Sequence, residues 1–382
     1  MKLIARCLPG LFLFAIGMIV LPSAAHAQAI KKDVPLPIQT FVPTTPVVFH
    51  ADGGSHLCYE IFLTNLSKDA WILQSITPVA DDGSAFPVID GKNLQTTLEH
   101  PGRPTLKDDA LFELAPGERV VVFVWINLSG PAPKELKHEL VYKRASGPQL
   151  FEMTAGKTAV STTLPAIAAP LRGKNWVAAN GPSNKSLHRR TIIVIAGTPH
   201  LAQRFAIDWV QADDKGLTHR GDKNDNHSYY CYGSEALAVA DATVVEVKDG
   251  IPENTPGGGP LAVEINLDTI AGNHVNLDLG NGVFAMYAHL QPGSLRVKVG
   301  DKVSSGQVIG LVGNTGNSSE PHLHFQLMDH NSPLGSEGMP YAMDYQLTGH
   351  AGDIDVNPKL ERISPPQAVH GSIPAEDEVV DF

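Results

Sequence analysis

Apolar and polar residues alternate in short runs along most of the chain, with a period of two and not the 3.6 of a helix. Residues 56–64, 71–76, 110–114, 119–128 and 139–143 are rich in β-branched and aromatic side chains. Such runs predict strands, and the breaks between them carry the turn formers Asp81-Asp82-Gly83, Pro101-Gly102 and Pro116-Gly117. No helical period intervenes. The run Val120-Val121-Val122-Phe123-Val124-Trp125 is apolar on both faces, which predicts a central strand covered on both sides. Together these features predict a small antiparallel β-sandwich over residues 46–165, preceded by a Pro-, Gln- and Thr-rich linker at 28–45.

A second series of strand-like runs follows. Residues 191–195 read as a buried strand, and 203–210, 236–239, 243–247, 262–267, 273–279, 283–289, 308–312 and 322–328 continue the pattern. Polar loops at 212–230 and 249–260 are longer than the connections a compact β-domain needs, so they are expected to border a site. Residues 166–190 read as an interdomain linker, packed down by Trp176 and ending in His188-Arg189-Arg190, whose basic side chains are expected at the surface. The second domain then spans 191–345. A Pro-rich, acidic tail at 346–382 is expected to be largely unstructured after Asn357. The fold class is therefore all-β, in two domains.

Composition changes this picture mainly at the ends. With 382 residues, 43% hydrophobic and 18% charged, the chain can bury two cores. Lys2 and Arg6, an apolar run at 11–21 and Ala25-His26-Ala27 predict a signal peptide over residues 1–27, cleaved after Ala27. That apolar run is short for a membrane span, so no stable anchor is expected after cleavage, and the protein is expected in the periplasm or outside the cell. The net charge of −11 excludes nucleic acid or anionic membrane as a general electrostatic partner. Cys7 falls in the leader. Cys58 and Cys231 could pair in an oxidising compartment or remain free.

The candidate chemistry lies in residues 313–327. A polar turn, Gly313-Asn314-Thr315-Gly316-Asn317-Ser318-Ser319, feeds a strand that opens with His322-Leu323-His324-Phe325. Residues i and i+2 of a strand share a face, so His322 and His324 leave one side together while Leu323 and Phe325 enter the core. Paired imidazoles suit a metal site. A catalytic zinc takes three protein ligands and keeps one position open, so further ligands must come from elsewhere.

Tyr287-Ala288-His289-Leu290, Val297-Lys298-Val299-Gly300-Asp301-Lys302-Val303, Gly306-Gln307-Val308-Ile309-Gly310 and the His322-x-His324 strand together resemble the lysostaphin/LytM-type zinc endopeptidases. The resemblance implies a β-sheet-rich LytM-type domain, the duplicated hybrid motif, with Zn2+ held by an upstream His and Asp and by the second His of the pair. The usual His-x-x-x-Asp spacing is absent. The chain offers instead His200 and Asp208, with seven residues between them, so the expected ligands are His200, Asp208 and His324. Asp208 lies on an apolar strand. The competing pair, His219 and Asp222, sits in a polar run with no strand to fix it. His227 and His274 receive no role, and Gln326 stands where many relatives carry Glu.

By the same resemblance, proton transfer falls to His289 and His322, and the reaction is peptide-bond hydrolysis without a covalent intermediate. The implied substrate is a peptidoglycan cross-link or a secreted protein. Relatives that have lost zinc ligands activate other wall hydrolases, which makes an inactive regulator the competing reading. A carbohydrate-binding or adhesion protein needs an exposed aromatic platform, and the sequence offers none.

Overall fold

The computed structural model describes residues 29–382 apart from 104, 105, 107 and 353–357. The leader expected at 1–27 lies outside the described residues.

The N-terminal unit contains two five-stranded antiparallel sheets. One orders Ile38–Phe41, Gly54–Asn65, Arg119–Leu128 and Leu98–Glu99, with Phe49–Ala51 paired to the second of these. The other orders Leu150–Ala159, Glu135–Arg144, Trp71–Ala80 and Ile89–Asp90, with Glu113–Leu114 on the third. Leu57, Tyr59, Ile61 and Leu63 alternate inward with Val120, Val122 and Val124, and meet Leu73, Ile76, Leu140 and Tyr142 from the second sheet in one core. The other face of the first sheet is apolar as well. Phe62, Val121 and Phe123 pack against Leu201, and Cys58 joins the core of the C-terminal unit. This second cover explains the unbroken apolar run seen in the sequence. Two details differ from expectation: Ile38–Phe41 extends the sheet into the presumed linker, and a short helix, Gly91–Thr97, interrupts the strands.

His138 is fully buried between the sheets, where it accepts from the Tyr59 hydroxyl at 2.7 Å and donates to Gly156 O at 3.0 Å. Burial pulls its imidazole down from 6.5 to about 4. Between these two values the unfolded chain takes up a proton that the folded chain refuses, so stability present above pH 6.5 is lost as the pH falls toward 4. That loss is about 3 kcal/mol. Urea midpoints at pH 7 and pH 4.5 should show it, and His138→Gln should flatten the difference. An unchanged pH dependence in that variant would remove His138 as the cause.

The C-terminal unit is built on an eleven-stranded sheet. Its central strands run in the order Ala242–Lys248, Asn273–Gly280, Val283–Leu290, Leu323–Met328, Ile207–Gln211 and Trp176–Ala179. The order continues through Glu378–Asp381 and Met343–Ala351 to Leu360–Ser372. The expected unstructured tail is thereby overturned. Val379 and Val380 are fully buried, and the consecutive buried residues of Glu378–Asp381 supply a strand, covered on both faces, that the acidic composition concealed. Trp176–Ala179, placed in the linker from sequence, is likewise an inner strand because all four of its side chains are buried.

Other expectations also change. Residues 262–267 form bends and irregular backbone leading into a turn, and not a strand. Ile193–Ile195 is not buried: it pairs only with Thr198–His200, and Val194 is 63% exposed. Cys58 and Cys231 are both free and buried, and the Cys231 thiol donates to Pro321 O at 2.9 Å. Among the described residues no helix is long and apolar enough to cross a membrane.

Candidate metal centre

Asp208 stands at the middle of the sheet because its strand is paired on both sides. Ala179 lies opposite it on one neighbour and His324 on the other. Ile207 and Trp209 point into the core, so alternation sends the carboxylate to the opposite face with His324. His324 Nδ1 lies 2.8 Å from Asp208 Oδ1, and His324 Nε2 donates to Gln326 Oε1 at 2.9 Å. Gln326 is in turn held by a bond to Pro333 O. With its Nε2 proton committed to Gln326, His324 keeps the Nδ1 lone pair for the site. This role of Gln326 was legible only as a third polar residue on the same strand face.

The third group is His188. Its Nε2 lies 3.2 Å from Asp208 Oδ2, and its Nδ1 donates to Asn180 O at 3.1 Å, which leaves the Nε2 lone pair on the Asp208 side. Asn180 Nδ2 donates to the same carboxylate oxygen at 2.9 Å. The donor atoms of His188, Asp208 and His324 all lie within 4.8 Å of one another. Two imidazole nitrogens and a carboxylate oxygen form a donor set that suits zinc. The contacts of 2.8 and 3.2 Å are close to the roughly 3.3 Å between ligand atoms of a tetrahedral zinc with bonds near 2.0 Å.

His200, expected as the upstream ligand, is elsewhere. It lies opposite Ile193 in a hairpin whose two-residue turn, Ala196-Gly197, has φ of 49° and 84°, the positive values of a type I′ turn. A free loop could have carried His200 back to Asp208; a pinned hairpin strand does not. Its Nδ1 faces Glu337 Oε1 at 3.3 Å. The competing His219 also stays away from the centre, in a bridge to Tyr229. His188 escaped sequence reasoning because nineteen residues separate it from Asp208 and two arginines follow it, which reads as a solvated stretch.

His322 and His289 complete the cluster. His322 Nδ1 donates to Glu320 O at 2.9 Å, while its Nε2 lies 3.4 Å from Asp208 Oδ1. His289 reaches the same face by a backbone irregularity. Tyr287 points into the core, and strict alternation would send His289 after it, but the left-handed φ of 62° at His289 turns its ring into the cleft beside His322, 4.7 Å between centroids. Its Nδ1 donates to Thr315 O at 2.7 Å, which frees Nε2. The turn supplying that carbonyl needs Gly316, since a Cβ there would stand 2.3 Å from Gly272 N.

Electrostatics separates the four groups. Burial raises the Asp208 carboxyl, but His188 and His322 beside it outweigh burial and hold it well below the ordinary carboxylate range. Burial lowers His188 and His322, but Asp208 overcomes this and raises both. Burial, followed by the charges of His322 and His324, holds His289 well below the usual imidazole range, so it is neutral at pH 7. All of these groups line one cleft of about 500 Å³, with Leu187, Leu261, Met286 and Gly258-Gly259 on its walls.

Residues 229–335 match the Peptidase family M23 model. The interval contains His289, His322 and His324, whereas Asp208 and His188 lie upstream of it. Peptidoglycan DD-endopeptidase ShyA of Vibrio cholerae is 41% identical over 103 residues, 27% of this chain and 23% of that protein. Glycyl-glycine endopeptidase ALE-1 of Staphylococcus capitis is 48% identical over 73 residues, 18% of this chain and 20% of that protein. The chain thus spans less than a quarter of either relative. The solved catalytic domain of lysostaphin from Staphylococcus simulans covers 43% of this chain and 88% of its own, at 23% identity and a TM-score of 0.24, a global agreement too low to carry weight. The histidine-bearing strands of residues 229–335 thus lie in a Peptidase family M23 domain, which makes up less than a third of the chain.

Proposed function

We propose that the protein is a zinc-dependent endopeptidase that acts outside the cytoplasm on peptide bonds, foremost those of peptidoglycan cross-links. The observation that carries this reading is the convergence of two imidazole nitrogens and a carboxylate oxygen in one cleft, with two further imidazoles beside them. The named activities of ShyA and ALE-1 support peptidoglycan as the substrate class. Zinc bound by His188, Asp208 and His324 would lower the pKa of a coordinated water toward about 7 and polarise a peptide carbonyl.

The chain's own residues supply the rest. His289 is buried and neutral, with its unprotonated Nε2 turned to the cleft, and can accept a proton there. His322 is raised toward the protonated form and fixed through Nδ1, so it can donate from Nε2 to a developing oxyanion or to the leaving amine. The regulator reading is not favoured, because a lost ligand is its hallmark and this donor set is complete.

Purified protein treated with a chelator should stop releasing soluble peptides from isolated peptidoglycan, and added Zn2+ should restore release. Full activity after metal removal would sink the proposal.

A further inference from the structure

We infer that the N-terminal sandwich is a working part of the metal centre, with Glu60 acting through Arg189 as a positioning residue for His188; this rests on His188 being a ligand, as proposed above. His188 sits in a single helical turn, Leu187–Arg190, and the arginines that follow it both turn away from the cleft onto the sandwich. Arg189 is fully buried. Its Nη1 is paired with the Glu60 carboxylate and its Nη2 donates to Tyr59 O at 3.0 Å. Arg190 donates to Thr96 O at 2.6 Å and to Asn184 O at 2.8 Å, and both guanidinium groups lie over the Phe123 ring, at 4.8 and 4.3 Å. Every one of these partners except Asn184 belongs to the sandwich.

Glu60 is built for this purpose. On the Gly54–Asn65 strand, Tyr59 and Ile61 face the sandwich core, so Glu60 faces the C-terminal unit, where it has no exposure to water. A carboxylate buried in this way is stable only if it is paired, and Arg204 supplies the second partner, with Nη2 donating at 2.8 Å. Arg204 then bridges to Glu337, the residue that holds His200. One sandwich carboxylate therefore fixes both the strand lead-in beside the site and the turn carrying His188. From that turn only the His188 side chain reaches into the sheet, to Asp208 and toward Ala206 O. The distance from His188 to Asp208 is consequently set by how the sandwich seats on the sheet.

The test uses the full chain and two metals as probes. Arg189→Met removes the tether but leaves Glu60 paired with Arg204. Zinc affinity measured by competition with a chelator should fall about 10- to 100-fold in the folded variant, as it does for outer partners of metal ligands, and the visible spectrum of bound Co2+ should shift. Arg189→Lys keeps one charged contact and should recover part of the loss. It also serves as the measurement if the Met variant does not fold. A purely structural role would lower melting temperature yet leave zinc affinity and the cobalt spectrum as in wild type, and that result would overturn the inference. If wild type itself binds neither metal, the zinc reading fails and this inference goes with it.

Discussion

His188→Ala is expected to lose its zinc, while His200→Ala and Asp222→Ala keep about one ion per chain. The reason is position: His188 Nε2 lies 3.2 Å from the Asp208 carboxylate, whereas His200 is pinned in a hairpin against Glu337. Removing one of three protein ligands should weaken binding by more than about 100-fold, since even outer partners are worth 10- to 100-fold. Asp208→Ala should be at least as severe, because its two oxygens face His188, His322 and His324 together. Metal analysis after gel filtration decides the matter. Zinc retained by His188→Ala and lost by His200→Ala would return the ligand to the position that sequence spacing suggests.

The second large effect belongs to His322. Its Nε2 is 3.4 Å from Asp208 Oδ1, but under the proposed function His188, Asp208 and His324 would already supply the three protein ligands of a catalytic zinc. His322→Ala should therefore hold zinc nearly as well as wild type. Its rate of peptide release from purified peptidoglycan should drop by about 10² to 10⁴, or roughly 3 to 5 kcal/mol of barrier lowering. Equal rates in the two proteins would remove His322 from proton transfer. If neither protein releases peptide and both stimulate a separate wall hydrolase, the regulator reading takes over.

Local pattern determined a good part of this molecule. The period-two alternation announced strands, and it placed His322 and His324 on one face with Leu323 and Phe325 behind them, as the buried core shows. It also placed Asp208 on an apolar strand. These inferences hold because side-chain direction along a strand depends only on neighbours within a few residues. Composition was a poorer guide at 346–382, where Pro and acidic residues suggested an unstructured tail but buried Val379 and Val380 drive a strand into the main sheet.

What only the tertiary structure decided depends on contacts between distant residues. His289 enters the cleft through a single left-handed residue, against its own alternation, because Thr315 O from a remote turn accepts its ring proton. Cys58 and Cys231, which composition left open to pairing, are both free and buried. Above all, His188 lies twenty positions before Asp208 and looks in sequence like part of a basic, solvated stretch. Arg189 is drawn into the interior by a glutamate 129 positions earlier, and that long-range ion pair orients the turn so that His188 faces the site. No spacing rule within the segment contains the information, since the partner that sets the geometry is on another sheet.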